Sequence, residues 1–127
     1  MGGGGRPMLA GRFIKSSIIY IILGMILGIY MAASQDHSQM PTHAHLNLLG
    51  WVTMALMGLI YKNWPVVAEA KLAPLTYWLA HVTVIGLTLG VGLLYAGMPE
   101  YEPIAIIAAF IAVFNMALFG FLFFRNS

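Results

Sequence analysis

The chain has 127 residues, of which 61% are hydrophobic and 8% charged, with no cysteine. A soluble domain of this size carries about a quarter charged residues, so composition places the chain in a lipid bilayer. The net charge of +2 comes from six basic residues. They read as topology signals rather than a nucleic-acid footprint, and disulfides, thiolate metal sites and cysteine nucleophiles are excluded.

Residues 1–12, opening on "MGGGGRP", read as a flexible leader or cloning scar ahead of a single membrane domain over 13–127. Four apolar stretches are long enough to cross about 30 Å of hydrocarbon, at about 13–33, 42–61, 74–96 and 103–124. The first is too long for a cleaved signal and is expected to be retained. Pro41, Pro74 and Pro103 sit at or beside the starts of the other three, where a missing N–H costs nothing. The expected fold is therefore an all-α integral membrane four-helix bundle.

Arg6, Arg12 and Lys15 precede the first span, Lys62 and Lys71 separate the second from the third, and Arg125 follows the fourth. The remaining loops carry Asp36, Glu100 and Glu102 without Lys or Arg. The positive-inside rule then predicts both termini in the cytoplasm. "GMILG" (Gly24, Gly28) and "GLTLG" (Gly86, Gly90) are GxxxG patterns that allow helix backbones to approach, and Ala105, Ala108, Ala109 and Ala112 give the fourth span a matching small face.

The second span opens on "THAHLNLLGW". Thr42 is the expected N-cap, which puts His43 and His45 in the first turn. Residues two apart on an α-helix are separated by about 200°, so these imidazoles face opposite flanks and do not chelate one ion from one regular helix. They suit two sites, one on each flank, or one cofactor shared between copies of the helix. Gly50, seven residues after His43, falls on nearly the same face and would clear space for a flat cofactor. The plainer readings are an interfacial polar cap for the histidines and ordinary packing for the glycine. Upstream, "DHSQM" offers His37 and Met40, which with Asp36, His43 and His45 could make a mixed copper site at the membrane surface. His81, in "TYWLAHVTVIG", lies more than about 10 Å deeper than His45. Its expected role is a buried hydrogen bond to a neighbouring helix, near Asn115 or Thr83, with proton transfer or a second metal site as the alternative.

At "THAHLNLLGWVTMALMGLIY" the chain resembles the haem–copper oxidase superfamily, and it is similar to small bacterial membrane proteins described as cytochrome c oxidase subunit I-like. The resemblance rests on the H-x-H at the outer end of a span followed by an apolar run with Gly and Trp. It implies haem b held by His43 and His45, with Gly50 beside it, in a bacterial inner membrane. It further implies a cyclic homotrimer, because four spans equal one of the family's three four-helix arcs, with His43 of one protomer facing His45 of the next across a haem. No second histidine adjoins His81 and the family's copper-binding pair is missing, so the expected role is electron transfer with a quinol or a cytochrome, not oxygen reduction. Copper binding through the His/Met loop and a cofactor-free structural subunit are the alternatives.

Overall fold

The computed structural model describes the chain from Arg6 onward, with side-chain surroundings from Met8 onward. The long helix α1 (Arg6–Ser34) opens the fold. A second span, Met40–Asn63, joins α2 (Met40–His45), a π-helical segment (Leu46–Thr53) and α3 (Met54–Asn63) into one rod. A short α4 (Pro65–Ala68), α5 (Ala73–Tyr95), a 3₁₀ turn (Pro99–Tyr101) and α6 (Glu102–Asn126) complete it. Four of these helical rods are long and apolar enough to cross a membrane.

Element ends follow local chemistry. Pro41, Pro74 and Pro103 each occupy the second position of their helix, where the absent N–H has no intrahelical partner to lose. Gly97, at φ 93°, closes α5 with the Met98 N–H donating to the Leu93 carbonyl at 3.0 Å and the Gly97 N–H to Leu94 at 3.2 Å. That paired bonding satisfies the last carbonyls and needs a left-handed residue, which glycine supplies without Cβ strain. At the end of α1 Gln35 takes the same region, φ 61°, and its side-chain amide donates to the Ala32 carbonyl at 2.7 Å.

Two expectations need correction. Residues 6–12, assigned to a leader, begin α1, and Leu9 and Ala10 are buried against the core, so this stretch belongs to the packed domain. The glycine run before Arg6 lies outside the described residues. The second correction concerns Thr42, which is no cap. The helix starts at Met40 after Gln39, and the Thr42 hydroxyl donates to Gln39 Oε1 at 2.6 Å. The Gln39 amide donates in turn to the Gly92 carbonyl at 3.0 Å, tying the loop to α5.

The spans pack in chain order. The second span lies between α1 and α5, and α6 packs along α5. Backbones of α1 and α6 stay apart, while α1 also reaches α5 and the second span reaches α6 through side chains. Both glycine motifs sit at contacts between helices. A Cβ on Gly90 would lie 2.4 Å from the Ala105 backbone nitrogen, and one on Gly86 would lie 2.8 Å from Ala108 Cβ. Gly86 and Gly90 thus meet the alanines of α6 in a close contact, which brings the two backbones together where lipid gives no hydrophobic drive to associate. The core lies toward the end where α4 tucks in. There Phe13, Met54, Met57, Tyr61 and Val67 are essentially inaccessible, and Tyr61 meets Phe13 and Phe119 ring to ring at 5.5 and 5.2 Å.

Candidate functional site

His43 and His45 lie in the first two turns of the second span, both half-buried. Their rings take different partners. His43 leans on α1, with Nδ1 2.9 Å from the Gly24 carbonyl oxygen and Nε2 3.2 Å from the Asn47 side-chain nitrogen. His45 turns back along its own helix, with Nδ1 2.7 Å from the Pro41 carbonyl oxygen. A carbonyl oxygen only accepts, so Nδ1–H is the donor in both rings. In the neutral imidazole that leaves the lone pair on Nε2. The His45 Nε2 lone pair has no protein donor among the described residues, whereas that of His43 accepts from the Asn47 amide.

Gly24 and Gly28 of α1 leave room for this contact. A Cβ on Gly24 would fall 1.7 Å from Asn47 Oδ1, and one on Gly28 would fall 3.1 Å from His43 Cε1. "GMILG" thus receives two polar side chains of the second span rather than a bare helix backbone. Asn47 was not singled out in the sequence, although it sits at the i+4 position of His43, where helix neighbours meet. Its Oδ1 is buried without a protein partner.

Gly50 does share the α1-facing side with His43, but the space beside it is taken. A Cβ there would lie 2.7 Å from Tyr20 Cβ and 2.9 Å from its Cγ. The expected clearance for a flat cofactor is, within this chain, a close contact between α1 and the second span. Beyond His45 the backbone is π-helical, so the 100° wheel that related His43 to Gly50 no longer describes the side-chain directions.

His37 and Met40 are exposed. Asp36 is engaged by the Ser38 backbone N–H at 3.0 Å, which holds its carboxyl below the ordinary carboxylate value. Among the described residues no three His, Asp or Glu side chains stand together as a metal-ligand group.

His81 has a different neighbourhood from the one expected. It hydrogen-bonds to neither Asn115 nor Thr83. Nδ1 lies 2.5 Å from the Tyr20 hydroxyl and Nε2 3.2 Å from Ser16 Oγ, and Ser16 Oγ is 2.9 Å from the Tyr77 hydroxyl. Tyr77 also meets the His81 ring edge-on at 4.6 Å. Four groups that each donate and accept thus form one chain, Tyr20–His81–Ser16–Tyr77, between α1 and α5. Such a chain can be polarised in either direction. Ser16, Tyr20, Gly24 and Gly28 are spaced by four, so one face of α1 serves both His81 and His43, with Tyr20 and Gly24 about 6 Å apart along the axis. That spacing was the available sequence signal for Ser16 and Tyr20.

The fold defines an all-helical, multi-pass membrane protein with a histidine pair at one end of its second span. No protein-family model matches the chain, and neither a curated protein nor a solved structure resembles it at a significant level.

Proposed function

We propose that the protein is a haem b-binding electron carrier of the membrane, in which His43 and His45 would hold the haem iron. The observation that carries this reading is the matched anchoring of the two rings. Each donates Nδ1–H to a backbone carbonyl, at 2.9 Å for His43 and 2.7 Å for His45, and so keeps its lone pair on Nε2. This is the outer-sphere arrangement that orients a ligating histidine and raises its basicity. His45 is ready to ligate as it stands. His43 ligates once the Asn47 amide turns aside, and its Gly24 anchor stays in place. When bound, a haem with two histidine ligands has no open position and exchanges single electrons.

The two ligands come from different copies. On one helix they point to opposite flanks, so an iron held by both lies between protomers, and a cyclic homotrimer gives three equivalent sites. The exposed apolar faces of α1 and α6, including Ile19, Ile26, Phe110 and Val113, suit lipid or neighbouring copies. With six basic residues at the ends shared by the termini and the Lys62–Lys71 loop, both termini face the cytoplasm, in a bacterial inner membrane. A quinol or a cytochrome is the electron donor in this reading.

An absorption spectrum of detergent-purified protein tests it. Reduction should give sharp low-spin α and β bands, absent in His45→Ala and in His43→Ala. A colourless protein that neither carries nor takes up haem would sink the proposal. Stoichiometric copper would then support the His37/Met40 loop, and no metal at all a structural subunit.

A further inference from the structure

Of residues 35–39, which join α1 to the second span, Gln39 is the only one that is not exposed. Its amide is oriented by what it meets. The Gly92 carbonyl only accepts, so Nε2–H donates to it at 3.0 Å, and Oε1 is left to accept the Thr42 hydroxyl at 2.6 Å. Both bonds then run in one direction, Thr42 to Gln39 to Gly92, an order in which each strengthens the other. Gly92 lies in the last turn of α5, where carbonyls lack intrahelical donors. Leu93 receives the N–H groups of Ala96 and Met98, and Leu94 that of Gly97, so the Gln39 side chain serves Gly92. At its other end Gln39 belongs to the second span, since its backbone carbonyl accepts the His43 N–H at 2.9 Å.

The histidine-bearing turn is thus held from two sides. On the α1 side the hold is the His43 ring on the Gly24 carbonyl at 2.9 Å. On the α5 side it is Gln39 and Thr42, and Thr42 is only 5% exposed. His45 depends on both. Its Nδ1 bonds the Pro41 carbonyl of its own helix, and among the described residues no hydrogen bond ties the ring to another rod. The direction in which Nε2 points therefore follows from how α2 is rolled against its neighbours. Pro41 stands between Gln39 and Thr42 in the chain, and a shift of that turn carries the His45 anchor with it.

We propose that Gln39 and Thr42 are positioning residues for His45. By tying the first turn of α2 to α5 they fix the roll of that turn and the line along which the His45 lone pair points. The use of that line rests on the proposed haem binding, whereas the positioning is a property of the chain alone. A ligand must be held within about 0.5 Å and 10–20° of its working geometry. A ring anchored on its own helix reaches that precision through the supports of the helix.

The full chain, ¹⁵N-labelled at histidine and free of haem, gives the first readout in detergent. Gln39→Leu removes both bonds and is expected to move the His45 ring-nitrogen signals, identified by their loss in His45→Gln, while the His81 signals stay. Thr42→Val should do the same, and Thr42→Ser should restore the wild-type shifts because it keeps the hydroxyl. Gln39→Met, closer in shape to glutamine, takes the place of Gln39→Leu where that variant does not fold. Unmoved His45 signals in the glutamine and Thr42→Val variants, or no recovery in Thr42→Ser, overturn the proposal. The haem-loaded protein gives the second readout. Haem affinity should fall about ten-fold in Gln39→Met, and the low-spin electron paramagnetic resonance spectrum, which reports ring orientation, should change. Haem bound equally tightly with an unchanged spectrum overturns the proposal. Where the wild type takes up no haem, the haem reading fails, while moved His45 signals still establish what Gln39 and Thr42 do.

Discussion

His43 holds the Gly24 carbonyl through Nδ1 at 2.9 Å, so an imidazole of the second span is fixed by the backbone of the first. That bond depends on the absence of a side chain at Gly24, where Asn47 Oδ1 occupies the Cβ position. Gly24→Val should therefore displace Asn47 and tilt the His43 ring. Overpacking of this kind costs about 1–3 kcal/mol. A detergent melt would show it, and an unchanged midpoint would contradict the packing described here.

Under the proposed haem binding, Asn47 would compete for the lone pair that His43 needs as a ligand. Asn47→Leu removes the donor to His43 Nε2 and a buried oxygen without a partner. A typical hydrogen bond contributes about 1 kcal/mol net, so, if the proposed haem binding holds, affinity should rise about five-fold in a haem titration. Affinity lost to the same extent as in His43→Ala would instead make Asn47 part of the binding site.

Gly90 and Gly120 should respond oppositely to alanine. At Gly90 the new methyl meets the Ala105 backbone, which cannot rotate away, so Gly90→Ala should separate α5 from α6 and lower the unfolding midpoint clearly. At Gly120 nothing lies within 4 Å, and Gly120→Ala should be neutral or stabilise the helix by up to about 1 kcal/mol. Equal effects at the two sites would contradict the α5/α6 seam.

Tyr20 and His81 should be energetically coupled through their 2.5 Å contact. In a double-mutant cycle with Tyr20→Phe and His81→Phe, a coupling of about 0.6 kcal/mol is expected, the average for hydrogen bonds between membrane helices, with about 1.7 kcal/mol as the upper bound. Additive losses would mean that the contact contributes nothing to stability.

Asp36 supplies the pH prediction. Its carboxyl is held below its ordinary value chiefly by the Ser38 backbone N–H. A depressed folded-state value means that the turn is intact above the unfolded carboxylate range and loosens as pH falls through the lower, folded value. The Ser38 amide shift, followed by NMR during acidification, should move with a midpoint below that of an aspartate in an unstructured peptide. A midpoint at or above that value would rule out the turn.

By itself, the sequence determined the bilayer setting, the four spans, their proline starts and the glycine and alanine faces suited to close helix contacts. These follow from composition, run length and the special backbone chemistry of two residue types, all local properties. It also marked His43 and His45, because two imidazoles at the head of an apolar helix break the pattern around them. Tertiary structure decided what each histidine touches. Partner choice depends on which rods lie side by side, and the π-helical turn after His45 alters directions that an α-helical wheel assumes. That is why His81 meets Ser16 and Tyr20 rather than Asn115, and why the space beside Gly50 is taken by Tyr20. The start of α1 was likewise hidden, since residues 6–12 are too polar to read as membrane span, yet Leu9 and Ala10 find their partners in a core assembled from distant parts of the chain.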